Sequence, residues 1–251
     1  MLNFIRYDGP TDVAPLLIAH GLYGSARNWG VIAKRLSDER TVVSVDMRNH
    51  GDSLQSEDHS YPALAADLSE IIADLGGTVD LLGHSMGGKA AMVCALNHPG
   101  VHKLIVADIA PVAYEHSQQR MIDAMRTLDL NAIETRADAD TALALVLDDP
   151  SIRAFLLQSL DVRGKRWKLN LDALEAEMAK IVGFPAITGQ FTGPNLFLSG
   201  GTSDYVLPEH RPVIKDLFPK ARFAKLPKAG HWLHAEDARG FEAATRVFLN
   251  A

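Results

Sequence analysis

The chain has 251 residues, 47% hydrophobic and 22% charged, which is the balance of a globular protein that folds throughout its length. The formal net charge of −6 argues against a nucleic-acid partner, because neutralising several phosphates needs a basic face. No apolar run approaches the ~18 residues of a membrane helix, and the single cysteine, Cys94, excludes an intrachain disulfide.

The first half of the chain alternates between strands and helices. Residues 2–7 alternate apolar and polar side chains as a strand does, whereas a secretory signal needs a basic start and an unbroken apolar run, so we expect a cytoplasmic protein. Further strands are predicted at 15–19, 41–45, 79–82 and 104–107, and helices at 29–36, 61–75 and 86–97. This order predicts a doubly wound parallel sheet.

The alternation of strands and helices is interrupted in the second half of the chain. Residues 112–184 hold several helix-like stretches and no convincing strand, and then the alternation returns with strands at 195–199 and 221–226 and helices at 209–218 and 236–249. We therefore expect an α/β fold with a core of residues 1–111 and 186–251 and a helical cap segment of residues 112–185. Ligands bind beyond the carboxyl ends of the strands in such sheets.

The strongest chemical signal is the sequence Gly83-His84-Ser85-Met86-Gly87, a G-x-S-x-G that follows an apolar strand and opens a helix. This context is typical of a nucleophile elbow, in which a tight turn between two glycines presents the serine hydroxyl above the sheet. The alternative is a helix-capping serine between two unrelated glycines. The strand before it and the helix after it favour Ser85 as the nucleophile.

A serine hydroxyl needs a general base, so a histidine must reach Ser85. In a fold of this kind the base follows the serine in the chain, which leaves these candidates: His98, His102, His116, His210, His231 and His234. Only His231 lies in a loop directly after the last predicted strand. The others lie at the opposite end of the sheet, in the cap segment or in a helix, and His84 and His234 are expected to pack as structural residues.

The base needs a carboxylate to fix its tautomer, and position leaves two candidates open. Asp108 ends the strand at 104–107, and Asp204 follows the strand at 195–199. The oxyanion that forms during ester attack also needs donors. The backbone N–H groups of Leu22, after the early His20-Gly21 pair, and of Met86 are the candidates.

These segments together resemble the α/β-hydrolase superfamily and, more narrowly, the YbfF esterase group, which is related to the mammalian abhydrolase domain-containing 11 proteins. The narrower resemblance is carried by four features, namely Arg48-Asn49-His50-Gly51, Lys89 after the elbow, Asp108-Ile109-Ala110-Pro111 and Gly200-Gly201-Thr202-Ser203. It implies a mostly parallel central sheet flanked by helices with a helical cap, hydrolysis of short acyl esters and in some members of acyl-CoA thioesters, and no metal or organic cofactor.

The resemblance also bears on the acid. It implies that Asp108 is the triad carboxylate and that Ser203 supports the site. Asp204 stands where a proline is common in the group, and its surroundings also resemble the acid loop of ordinary α/β hydrolases. Asp108 is therefore favoured, with Asp204 as the alternative.

The cap segment is expected to cover the nucleophile and shape an acyl pocket. Apolar side chains near the catalytic loops and in the cap segment are its predicted lining, namely Leu22, Tyr23, Phe155, Leu156, Trp167 and Trp232. The basic run at 163–168 is either a site for an anionic group such as a CoA phosphate or solvated surface. Asp46, Arg48, His50 and Asp52 precede Ser85 and are expected to brace loops.

The sequence thus predicts a small-molecule hydrolase that forms an acyl-enzyme at Ser85 with His231 as acid and base. An acyl-CoA thioesterase and a perhydrolase can use the same residues. A non-catalytic receptor for a small ligand on the same fold is the alternative from another class.

Overall fold

The computed structural model describes residues 1–115 and 118–251. Its main feature is a seven-stranded sheet in the order β1-β3-β2-β4-β5-β8-β9. The strands of this sheet are β1 (Phe4–Tyr7), β2 (Leu16–Ala19), β3 (Val42–Val45), β4 (Val79–His84), β5 (Val101–Ala107), β8 (Asn195–Gly200) and β9 (Ala221–Leu226). Only β1 pairs antiparallel with its neighbour; the other pairings are parallel.

The chain also forms helices, some of which cover the two faces of this sheet. They are α1 (Gly30–Leu36), α2 (Tyr61–Asp74), α3 (Met86–Asn97), α4 (Gln119–Arg126), α5 (Arg136–Leu143), α6 (Pro150–Leu156), α7 (Leu171–Ala176), α8 (Met178–Val182), α9 (Arg211–Leu217), α10 (Leu233–Glu236) and α11 (Ala238–Leu249). Buried side chains of α2 and α3 pack on one face and those of α1 and α11 on the other. None of the helices in the described residues is long and apolar enough to cross a membrane.

The strands at the centre of the sheet are apolar because they are covered on both sides. Every residue of β2, β3 and β4 is buried, and the apolar runs that predicted these strands fill the two cores. The predicted α/β class with a parallel sheet is confirmed. The parallel pairing also brings the carboxyl ends of β2, β4, β5 and β8 to one edge of the sheet, where the loops that follow them meet.

The cap segment lies in the chain between β5 and β8 and contains α4 to α8. The prediction that it holds no strand is wrong, because β6 (Leu160–Asp161) and β7 (Arg166–Trp167) form a short antiparallel hairpin. The hairpin turns where the Asp161 carboxylate accepts a hydrogen bond from the Gly164 N–H at 2.9 Å. A two-residue strand of mixed polarity leaves no period-two pattern in the sequence. The division into core and cap segment itself stays a prediction.

The closing helix also differs from the prediction. Instead of one helix at 236–249, α10 ends at Glu236 and α11 begins at Ala238. Asp237 causes the interruption, since its backbone leaves the helical region and its carboxylate caps α11 through the Gly240 N–H at 2.9 Å.

Candidate active site

Ser85 lies in the turn between β4 and α3 with φ 52° and ψ −121°. Non-glycine residues rarely adopt a positive φ, and such strain is concentrated at functional sites. The glycines of the motif make this turn sterically feasible. A Cβ on Gly83 would collide with the Gly87 carbonyl, and one on Gly87 would collide with the carbonyls of Ala19 and His20.

The structure brings His231 against this serine. Its Nε2 lies 3.0 Å from Ser85 Oγ, and its Nδ1 lies 2.8 Å from Asp108 Oδ2. His231 comes from the loop after β9, and Asp108 directly follows β5, so three separate loops at one sheet edge supply the three groups. The Tyr205 ring stacks on the imidazole with a centroid separation of 4.0 Å. This geometry allows Nε2 to take the serine proton while Nδ1–H donates to the carboxylate.

Asp108 is completely buried, and its carboxylate accepts hydrogen bonds from three directions. Ser203 Oγ donates to Oδ2 at 2.5 Å, beside His231, and the Gly200 N–H donates to Oδ1 at 2.9 Å. These donors satisfy both oxygens of a carboxylate that has no access to solvent. Asp204, the alternative acid, is exposed to solvent. The contacts therefore favour Asp108 over Asp204 as the acid, and Ser203 lies beside His231 on the same carboxylate oxygen.

The two candidate oxyanion donors lie beside Ser85. Gly21 lies so close to the elbow that a Cβ there would stand 3.2 Å from Ser85 Cβ, and Leu22 follows it directly. Met86 is the first residue of α3, so its N–H has no acceptor within the helix. Both residues line the cavity above the serine. Two N–H groups at this position can stabilise the negative charge on a carbonyl oxygen under attack.

A cluster of buried histidines, His20, His50 and His59, braces the loop that carries Leu22. His50 Nε2 accepts the Tyr23 N–H at 3.1 Å, and His20 Nε2 accepts the Met47 N–H at 2.9 Å. The rings of His20 and His50 are 5.0 Å apart, and those of His50 and His59 are 5.6 Å apart. Burial lowers the pKa of all three, that of His59 to about 3. Neutral rings are required here because a protonated ring could not accept these backbone N–H bonds.

Two further histidines lie behind the base. His84 Nε2 donates to the His231 carbonyl at 2.8 Å, and His234 stacks on Trp29 at 4.2 Å. Burial holds the pKa of His84 well below its usual value and lowers the pKa of His234 to about 4. Burial therefore favours the neutral form of both rings, and their role as structural residues stays a prediction.

The remaining candidate histidines in the described part of the chain do not contact Ser85. His102 binds Asp80 at 2.9 Å, at the start of β4 and thus at the opposite sheet edge, and His210 Nδ1 accepts the Leu207 N–H at 3.2 Å. His98 follows the end of α3, one helix length from the elbow. His116 lies outside the described residues.

Above Ser85 lies a cavity of about 210 Å³. Five of the six predicted lining residues, Leu22, Tyr23, Phe155, Leu156 and Trp232, line it together with Ser85 and His231. The walls are mostly apolar, and α6 and α8 contribute to them from the cap segment. A cavity of this kind can hold the acyl part of a small ester while the cap segment limits access of water.

The Alpha/beta hydrolase family model matches residues 16–244 of the chain. The chain belongs to this family. Its curated relatives include the sn-1-specific diacylglycerol lipase ABHD11 of Mus musculus, 40% identical over 99% of this chain and 85% of the mouse protein. Esterase YbfF of Escherichia coli K12 is 36% identical over 94% of this chain and 93% of its own. The solved structure titled "Marine microorganism esterase" is 39% identical, covers 98% of both chains and has a TM-score of 0.93. The resemblance to the YbfF esterase group is thus confirmed.

One lining residue was predicted wrongly for this α/β hydrolase. Trp167 is not among the described residues that line the cavity, because it lies in β7 and its indole N–H donates to the Met125 carbonyl at 3.1 Å. The basic residues around Trp167 also make contacts within the protein. Lys168 pairs with Asp52 at 2.8 Å, and Arg166 lies 3.6 Å from Asp161. These contacts favour the interpretation of residues 163–168 as surface.

Other residues of the hydrolase cavity were not predicted from the sequence. Tyr61, Tyr114 and Tyr205 line it, and so does Lys89. None of these tyrosines belongs to a motif, although Tyr114 and Tyr205 come shortly after the segments 108–111 and 200–203. Lys89 did carry a signal, since it stands four residues after Ser85 in a predicted helix and so shares a helical face with the serine.

Proposed function

We propose that this chain is a serine esterase that hydrolyses carboxylic esters of small acyl groups through an acyl-enzyme. The observation that carries the proposal is the hydrogen-bonded series Ser85 Oγ, His231 and Asp108, with distances of 3.0 and 2.8 Å, at the base of an apolar cavity. Relatives that cover nearly the whole chain are named esterase and lipase, which supports the same reaction.

The first half of the reaction transfers the acyl group to the enzyme. Ser85 Oγ attacks the ester carbonyl while His231 Nε2 takes the hydroxyl proton. The carbonyl oxygen becomes an oxyanion and accepts hydrogen bonds from the N–H groups of Leu22 and Met86. When the tetrahedral intermediate collapses, the C–O bond of the ester breaks and the protonated His231 gives its proton to the leaving alcohol.

The second half releases the acid by the same steps. His231 takes a proton from water, the resulting hydroxide attacks the acyl-serine carbonyl, and the same two N–H groups hold the oxyanion. Collapse returns the proton to Ser85 Oγ and frees the carboxylic acid. Asp108 stabilises the imidazolium in both halves, and the bonds from Ser203 and Gly200 hold this carboxylate in place.

The size of the cavity supports small acyl groups as substrates. Pockets for drug-sized ligands measure about 300–1,000 Å³, whereas this cavity measures about 210 Å³. An acetyl to hexanoyl chain fits such a volume better than the long chains of a membrane lipid. A cytoplasmic location, predicted from the sequence, remains part of the proposal.

The experiment compares p-nitrophenyl esters with acyl chains from acetyl to dodecanoyl, measured as kcat/KM. We expect a maximum among the short chains. A fluorophosphonate probe should label the wild-type protein and not Ser85→Ala. The matched control is Ser37→Ala, because Ser37 Oγ donates only to the Lys34 carbonyl at the surface. Undiminished ester hydrolysis by Ser85→Ala would overturn the proposal.

A further inference from the structure

Lys89 is a buried cation in the wall of the substrate cavity. It stands one turn after Ser85 on α3, about 6 Å farther along the helix axis, and its backbone N–H donates to the Ser85 carbonyl at 3.0 Å. Only 1% of the residue is exposed, yet it lines the same cavity as the serine. Residues four apart lie on one face of a helix, so the nucleophile and the ammonium share a wall.

The contacts of Lys89 among the described residues are two carbonyls and two aromatic rings, the second ring being that of Tyr61 at 5.8 Å, and include no carboxylate. Nζ donates to the carbonyls of Val182 at 2.9 Å and Gly183 at 2.5 Å, and it lies 4.8 Å from the centroid of the Tyr114 ring. An ammonium has three N–H donors, and no third hydrogen-bond acceptor is found among the described residues. Of the described residues that line the cavity, none is Asp or Glu and no other is Lys or Arg.

Holding a cation in this place is costly. Burial lowers the pKa of Lys89 to about 7, which measures how poorly the site solvates the charged form. Tying α3 to the end of α8 through two carbonyls needs only a neutral donor. A buried charge without an ionic partner in a ligand cavity points instead to a ligand of opposite charge.

We propose that Lys89 determines specificity by binding a carboxylate at the far end of the acyl group, so that the preferred substrates are monoesters of short dicarboxylic acids. The inference rests on the proposed esterase function, because Ser85 attacks the ester at the other end of the same molecule. Apolar side chains of Met86, Ile109 and Ile181 line the same cavity and suit the methylene groups between the two ends. The carboxylate completes the hydrogen bonding of Nζ with a charge-assisted bond.

The kinetic test uses pairs of ethyl esters of equal length, followed in a pH-stat at about pH 6.5, below the Lys89 pKa of about 7. Monoethyl succinate, glutarate and adipate are compared with ethyl butanoate, pentanoate and hexanoate. At the best length we expect the wild-type kcat/KM to favour the carboxylate ester about tenfold or more, the size of one charge-assisted hydrogen bond. A preference for the uncharged ester at every length would overturn the inference.

Two variants separate the charge from the structural role. Lys89→Gln keeps amide donors for the two carbonyls, and Lys89→Met keeps only the chain length. Both should lose the preference for the carboxylate ester, so the ratio of kcat/KM for the carboxylate ester to kcat/KM for the uncharged ester of equal length should fall by about tenfold. The control Lys215→Met removes an exposed cation from α9 and should leave the preference for the carboxylate ester unchanged. Equal slowing of both ester types in Lys89→Gln would assign Lys89 to the fold alone.

A binding measurement keeps this inference distinct from the proposed function. Calorimetric titration of Ser85→Ala with monoethyl glutarate needs no turnover. Binding that disappears in Ser85→Ala/Lys89→Gln supports the carboxylate site even if the wild-type protein does not cleave the ester. Rapid hydrolysis of uncharged esters together with no Lys89-dependent binding would instead retain the esterase and reject the carboxylate site.

Discussion

Replacing Asp108 with asparagine tests the acid assignment through a conflict among hydrogen bonds. The aspartate accepts three bonds, on Oδ1 from the Gly200 N–H and on Oδ2 from Ser203 and His231. An asparagine has one oxygen and one NH₂ group for these positions. If its oxygen keeps the Gly200 bond, the NH₂ group faces His231 Nδ1, which must then become an acceptor.

An acceptor at Nδ1 places the imidazole proton on Nε2, which faces Ser85 at 3.0 Å. That tautomer cannot take the serine proton. The opposite amide orientation sets the NH₂ group against the Gly200 N–H and gives two buried donors in contact. In serine proteases, the same substitution of the triad aspartate lowers kcat by about 10⁴, equivalent to about 5 kcal/mol at about 1.4 kcal/mol for each factor of ten.

We therefore expect Asp108→Asn to lower kcat on p-nitrophenyl butanoate by about 10³ to 10⁴ with KM within about threefold. Asp204→Asn is the matched control, because it makes the same chemical change on an exposed side chain, and it should stay within about twofold of wild type. Circular dichroism verifies that both variants fold. Loss of activity in Asp204→Asn with activity retained in Asp108→Asn would refute the assignment.

Three further predictions concern the surroundings of the triad. Gly87→Ala should lower the free energy of unfolding by about 2 kcal/mol or more in urea titration, because its Cβ would meet the Ala19 carbonyl; an unchanged midpoint would contradict this. His50→Leu removes the acceptor of the Tyr23 N–H and should cost about 1–3 kcal/mol in the same assay, with kcat reduced more than KM is raised. The third concerns Lys89, whose pKa is about 7 when folded and 10.5 in its ordinary state. Between pH 7 and pH 10.5 the unfolded chain binds more protons than the folded protein. The free energy of unfolding of the wild type relative to Lys89→Met should therefore rise from pH 7 to pH 9. If this difference in free energy stays constant over that range, the pKa is not lowered.

The sequence predicts the sheet and its helices well because each central element repeats one local pattern. The helix at 86–97 and the strand at 221–226 have the bounds that the pattern indicated. Ser85 and His231, which the structure brings into contact, could be singled out as candidates because each follows a strand in a loop with a distinctive composition. Local sequence patterns therefore predict a residue's position correctly where that position depends only on its own strand, helix or adjoining loop.

They fail where distant segments decide the outcome. Strand position alone leaves Asp108 and Asp204 open because both follow parallel strands, and the structure distinguishes them by the three donors gathered around Asp108. Trp167 was misplaced because a tryptophan in a cap can face the cavity or the protein interior with the same sequence around it. In this chain the Met125 carbonyl, 42 positions away, binds its indole.

Backbone conformation explains why these loops converge. Five non-glycine residues in the described ranges have positive φ, and four of them, Tyr23, Asn49, Ser85 and Asp108, lie in loops that leave β2, β3, β4 and β5. A residue in this region turns the chain sharply and costs of order 1 kcal/mol or more. Tyr23 and Asn49 lie in the loops near the candidate oxyanion donors, whereas Ser85 and Asp108 are the proposed nucleophile and acid. The fully buried parallel strands fix the points at which these loops begin and so stabilise the strained turns. A tyrosine or an aspartate gives no local sequence signal of a positive φ. The contact of Ser85, His231 and Asp108 therefore follows from the folded sheet and not from any one motif.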